Sequence, residues 1–239
     1  MRNILTIAGK ELRSYFTSPM AYVLAVFYLG IIGYIFIAIF LLMPQAQTEH
    51  LRDLIGSMLF LTLFIIPMLT MGLFAQERAS GTMELLMTRP VRDWEVVIGK
   101  FLATVSLFAS VIIVSLSYPV ILEVVAKVDW AMILTGYFGL LLAGAAFAAL
   151  GVFASSVTSN QIAAAIIAVF MLLFLWLIGA LSYSVSQSLG DVFKHLSVLE
   201  NYQDFSKGII DTKNIIYFLS LIFVSLFLAV RTIENRRTV

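Results

Sequence analysis

Six apolar windows alternate with short polar segments along the chain: Ala21–Met43, Leu54–Ala75, Phe101–Leu122, Ala131–Val157, Ile162–Leu181 and Ile215–Val230. A helix crossing the hydrocarbon core needs roughly 20 apolar residues, with about 17–25 usual, so each window predicts a membrane span. The sixth, at about 16 residues, is short, and Lys213 and Arg231 are placed to snorkel from its ends. Windows four and five are parted only by Thr158-Ser159-Asn160-Gln161, which predicts a tight polar turn.

The segments outside the windows are patterned too. Leu5, Ala8, Leu12, Tyr15 and Phe16 fall on one helical face, with Thr6, Lys10, Arg13, Ser14 and Thr17 on the other. This predicts a helix over 1–20 lying in the membrane interface, apolar face down, and broken by Ser18-Pro19. The apolar run that follows is too long for the h-region of a cleaved signal, and no small-x-small site closes it. Over 182–214, Val185, Leu189, Val192, Leu196, Leu199, Tyr202, Phe205 and Ile209 recur at intervals of three or four, punctuated by Gly190-Asp191 and Glu200-Asn201. Two or three short amphipathic helices on the outer surface are expected there, and periodicity does not decide whether they re-enter the membrane. The expected fold class is an all-α integral membrane protein with six transmembrane helices, forming one transmembrane domain over 1–239.

Composition agrees with that class. Charged residues make up 12%, hydrophobic residues 61%, and the mean hydropathy is +1.01. A soluble domain carries about 25% charge and 45–50% apolar residues, so lipid must be part of the solvent. The net charge of +1 gives no reason to expect nucleic acid. There is no cysteine, which excludes disulfides and thiolate metal sites, and His50 and His195 lack neighbours at metal-ligand spacing. With six spans, the termini and the even-numbered connections share a side. That side holds Arg2, Lys10, Arg13, Arg78, Arg89, Arg92, Lys100, Arg231, Arg236 and Arg237, roughly ten of the 15 Lys+Arg. Both termini and the 76–100 loop are therefore expected to be cytoplasmic.

That loop, QERASGTMELLMTRPVRDWEVVIGK, is the densest charged stretch in the chain. Ser80-Gly81-Thr82 are suited to starting a short helix with Glu84 in its first turn, where the helix dipole favours negative charge. Pro90 would end that helix, and Asp93 would cap a second one running into the third window. Met83, Leu86 and Met87 would give the short helix an apolar edge suited to a groove in a partner protein.

The loop also carries a family likeness. Glu77-Arg78-x-x-Gly81-Thr82-x-Glu84-Leu85-Leu86-x-Thr88-x-Pro90, followed by Trp94-Glu95 and Gly99-Lys100, resembles the permease subunits of ABC-2-type ATP-binding-cassette transporters. The likeness extends to the start around Lys10-Glu11-Leu12. Leu199–Asp211 and the final Arg231-Thr232-Ile233-Glu234 resemble the gliding-motility-type branch. The resemblance implies a bacterial inner-membrane protein that pairs with a second permease subunit, identical or not, above two cytoplasmic ABC ATPase subunits. It implies that the first cytoplasmic loop forms a coupling helix seated in the ATPase, with Glu77, Arg78, Gly81, Thr82, Met83, Glu84, Leu85 and Leu86 making or shaping the contact. ATP and Mg would be bound by the ATPase. This chain has no Walker-type loop, HExxH or GxSxG, so no cofactor and no catalytic residue are expected in it.

Other features have plainer readings. Gly139, Ala143, Gly144, Ala148 and Gly151 give small-xxx-small spacing, which predicts close helix packing within the subunit or across a dimer. Glu123, Lys127 and Asp129 are expected at a span boundary, because a charge at mid-bilayer costs about 2.5–3.5 kcal/mol. Pro67 and Pro119 predict kinks. Tyr183, Phe193, His195 and Tyr202 fit an interfacial aromatic belt. A membrane anchor that passes ATPase motion to an outer or periplasmic auxiliary protein, with nothing crossing, is the rival to an exporter. An intramembrane enzyme or channel is disfavoured, since no paired acids or charge ring lie within the windows.

Overall fold

The computed structural model describes residues 2–42, 47–82, 92–124, 128–182 and 187–237. Its elements are α1 (Arg2–Thr17), α2 (Pro19–Leu42), α3 (Gln47–Thr70), α4 (Gly72–Ala79), α5 (Asp93–Ser115), α6 (Ser117–Glu123), α7 (Trp130–Val157), α8 (Gln161–Leu181), α9 (Gln187–Leu196), α10 (Val198–Ser206) and α11 (Thr212–Arg237). Six stretches are long and apolar enough to cross a membrane: Pro19–Phe40, Leu51–Ala79, Asp93–Glu123, Trp130–Val157, Gln161–Leu181 and Thr212–Asn235. Six crossings return the chain to its starting side, so both termini share one face, the terminal face. The opposite side is the far face.

Several boundaries depart from the sequence expectation. The sixth span is 24 residues, not a short one, because the helix runs on through Lys213 and Arg231 at its polar ends. The second span is two helices. Pro67 has no N–H to donate within the helix, and Thr70 Oγ1 turns back to donate to the Ile66 carbonyl at 3.0 Å. The helix breaks at Met71 and resumes as α4, so Gln76–Ala79 belong to the span and not to a loop. Ser80 and Gly81 close that helix, Thr82 is helical again, and the rest of the expected short helix lies outside the described residues. Gly81 has φ 69°, the left-handed conformation that ends helices. At the start of α5, Asp93 is not the cap. Glu95 reaches back and accepts from the Arg92 backbone N–H at 3.1 Å.

Caps of the usual kind start the next two spans. Asp129 accepts from the N–H groups of Ala131 and Met132 at 3.0 and 3.3 Å. Asn160 does the same for Ile162 and Ala163 at 2.9 and 3.3 Å, within the expected tight turn. Glu123 lies at the end of α6 and accepts from the Val128 N–H at 3.2 Å, a boundary position.

At the centre stands α7, the most buried span. Its small residues are contact points for three neighbours. Gly144 faces the ring of Phe108 on α5, Gly151 faces Thr70 at the end of α3, and Gly139 faces Phe205 on α10. Ala143 and Ala148 are fully buried beside them. A β-carbon at Gly139 would sit 2.6 Å from Phe205 Cβ, a distance real contacts do not reach.

The helix α10 turns its apolar face into the core. Val198, Tyr202 and Phe205 are buried in the core, and the Tyr202 hydroxyl donates to the Gly136 carbonyl at 3.1 Å. Gly139 lies nine residues past the start of α7, about 14 Å along the axis, so α10 dips between the spans. Tyr202 is thus core and not part of an aromatic belt. Asn214, fully buried at the start of α11, donates to Asp204 Oδ2 at 2.8 Å and ties the dip to the last span.

If these approaches hold the bundle together, Gly144→Val overpacks the α5–α7 contact and destabilises by about 1–3 kcal/mol. Gly30→Ala, where an added β-carbon meets nothing within 4 Å, leaves stability unchanged. Thermal unfolding of both variants in detergent, followed by circular dichroism, separates the two outcomes.

Candidate functional site: a buried ion cluster on the terminal face

The first turns of α5 are flanked by α1, which runs alongside them in the same direction. Asn3 Nδ2 donates to Glu95 Oε2 at 3.2 Å, Ile7 lies against Gly99, and the Tyr15 hydroxyl pairs with Thr104 Oγ1 at 3.2 Å. Tyr15 also donates to the Leu69 carbonyl at 2.9 Å, reaching the end of α3. Burial holds the Tyr15 phenol well above its ordinary value, so it stays neutral and keeps donating. Part of the apolar face expected to rest on lipid meets protein. Leu12 and Tyr15 pack on the protein core, while Leu5 and Phe16 from the same predicted face remain exposed.

Glu11 also lies on the protein-facing side of α1. There it meets Lys100, a residue 1% exposed, whose Nζ is 3.1 Å from Glu11 Oε1 and 2.8 Å from Glu77 Oε1. The ammonium also stands 5.2 Å over the ring of Phe74. One buried cation thus joins α1, α4 and α5. Glu77 Oε2 has no hydrogen-bond partner among the described residues.

The next residue grips a different helix. Arg78 Nη2 donates to the Ser156 carbonyl near the end of α7 at 2.6 Å. One residue earlier on α7, Ser155 Oγ donates to the Met71 carbonyl at 3.0 Å and accepts from the Phe74 and Ala75 N–H groups at 3.0 and 3.1 Å. Those donors and that acceptor are the groups that the break at Met71 leaves without helical partners. A cavity of ≈ 350 Å³ opens between α1 and α4, lined by Lys10, Glu11, Gln76, Glu77 and Lys100 among others. Among the described residues no group of acids and histidines is arranged to hold a metal. The cluster forms a joint between α1, α4, α5 and α7.

Of the residues named from the sequence, Glu77 and Arg78 lie in this joint. Gly81 and Thr82 lie just past it, with Thr82 Oγ1 donating to the Glu77 carbonyl at 3.2 Å. Met83, Glu84, Leu85 and Leu86, with Met87 to Pro90, lie outside the described residues. Gly139, Ala143, Gly144 and Ala148 are elsewhere, in the core along α7. Sequence reasoning missed Glu11, Ser155 and Ser156, and treated Lys100 as a loop charge. Glu11 had a signal: it falls in register with Ile4, Ile7, Ala8 and Tyr15 on one side of α1.

Removing one partner from a buried pair costs about 3–5 kcal/mol, because the remaining charge is left uncompensated. Lys100→Met should therefore be the most destabilising change in the cluster. Glu11→Gln, at a partly exposed site with Glu77 still in place, should cost less. The triple variant Lys100→Met, Glu11→Gln, Glu77→Gln should regain most of the loss. Unfolding midpoints of the three purified proteins test the order.

Comparison with known proteins adds the family. No curated protein matches the chain. The family model described as ABC-2 family transporter protein matches residues 5–234, which takes in the joint, all six spans and the dipping helix. With that match over nearly its whole length, the chain belongs to the ABC-2 transporter family, as a multi-pass permease component of an ABC transporter.

Proposed function

We propose that the chain couples ATP hydrolysis in cytoplasmic ABC ATPase subunits to export across the bacterial inner membrane. The termini and the 76–100 region face the cytoplasm in this reading, and the chain pairs with a second permease subunit, identical or not. The observation that carries it is the double attachment of adjacent residues. Glu77 is tied through Lys100 to α5 and α1, and Arg78 is tied to the end of α7. Force applied just past Thr82 would reach α1 and two spans, α5 and α7, through contacts within two residues. A solvated surface pair contributes about 0–1 kcal/mol and explains no such arrangement. ATP and Mg belong to the partner in this reading, and this chain supplies no catalytic group.

In this reading the chain falls in the gliding-motility-type branch of the family. The resemblance of Leu199–Asp211 and Arg231–Glu234 to gliding-motility-type permeases supports it. An exporter is favoured over a force-transmitting anchor because α10 is committed to the chain's own core. Tyr202 and Phe205 are buried against α7 and unavailable to an outer protein.

Affinity purification of the tagged chain from detergent should bring down an ATPase. Turnover of that ATPase should depend on an intact 76–90 segment. Glu84→Arg should abolish coupled turnover while membrane insertion stays normal. Wild-type activity and unchanged ATPase association in that variant would remove the coupling assignment.

A further inference from the structure

On the far face, a groove of ≈ 630 Å³ runs between α3, α8 and α10, with Ile35 of α2 at its edge. Its walls change character with depth. Arg52 and Asp53 stand on the first turns of α3, with Gln203 and Ser206 of α10 opposite. Phe60 lies eight residues further along α3, about 12 Å deeper, and meets Trp176 edge to face with centroids 5.8 Å apart. Polar above and aromatic below, at the edge of a membrane span, is the profile of an amphiphile standing in one leaflet.

The two charges on the rim are both available. Neither Arg52 nor Asp53 is within 4.0 Å of an opposite charge among the described residues. Ser57 Oγ donates to the Asp53 backbone carbonyl at 2.8 Å and leaves the carboxylate open. Successive residues on a helix do not face each other, which accounts for the unformed pair. A guanidinium beside a carboxylate complements a headgroup that carries a phosphate and a cation. The phosphate accepts two N–H bonds from the arginine fork. A primary ammonium has protons to donate to Asp53, whereas a quaternary ammonium has none, and a glycerol headgroup has no cation.

We propose that this groove seats one bilayer phospholipid with a primary-amine headgroup, its phosphate on Arg52, its ammonium on Asp53, and an acyl chain along Phe60 and Trp176. Gly56 lies on the floor of the groove, and a β-carbon added there meets no atom within 4 Å. Gly56 is where the chain of the lipid has room to pass.

The full chain in nanodiscs of equimolar phosphatidylethanolamine, phosphatidylcholine and phosphatidylglycerol, released for native mass spectrometry, tests the assignment. One phosphatidylethanolamine should be retained in preference to the other two. Gly56→Leu should abolish that retention with an unchanged unfolding midpoint. Arg52→Gln should weaken it by at least about tenfold, since both charge-assisted N–H bonds of the fork are lost. Asp53→Asn should make phosphatidylethanolamine and phosphatidylcholine equivalent. Lys207→Gln, the same charge change on the same face but outside the groove, should alter nothing. Preference for phosphatidylglycerol, equal retention of all three lipids by the unaltered chain, or equal loss in Lys207→Gln would each overturn the proposal. Should Gly56→Leu fail to fold, the Asp53→Asn comparison decides alone.

Discussion

Close approach to α7 is the constraint on which the remaining helices depend. In lipid there is no hydrophobic drive between helices, since acyl chains are as apolar as leucine. Association has to come from packing density and from polar contacts, and both need backbones near one another. Bare positions at Gly139, Gly144 and Gly151 let Phe205, Phe108 and Thr70 settle against the axis from different directions. At each of them a β-carbon would occupy space already filled. These bare positions thus fix where α3, α5 and α10 sit.

The polar contacts then add direction. At the terminal end of α7, Ser155 satisfies the backbone groups that the break at Met71 frees, so the break is held open in one geometry. The break lets α4 turn its charged end toward Lys100, which lies in the same low-dielectric region as Phe74. The ammonium is buried while both carboxylates stay partly exposed, so leaving Lys100 without partners would be costly.

The far end of α7 is organised differently. Tyr202 and Phe205 fill the cleft beside Gly136 and Gly139, and Asn214 anchors the returning chain through Asp204. These helices seal the core on that side and, with α3 and α8, shape a groove that faces outward. Both ends of the molecule are therefore packed against the same central helix.

The spans were legible because each is a long apolar run, and the cost of exposing backbone polar groups to lipid admits only helices there. The family was legible for another reason: Glu77, Arg78, Gly81 and Thr82 form a motif within one short stretch. The small-residue spacing on α7 was visible as a packing signal, yet not the partners that would use it. What the order of residues could not reveal was pairing between distant segments. Lys100 and Glu11 are 89 positions apart, and nothing local marks one as the other's counter-ion. Gln76–Ala79 and Lys100 read as loop because charge usually signals water. They fold as helix because the charges neutralise one another across three elements. The same limit applied to Tyr202, whose periodic stripe suits a surface helix as well as a buried one. Local sequence dictates which segments are helical and which are apolar. Only the assembled bundle decides which polar groups find each other inside it, because that depends on distances no single segment controls.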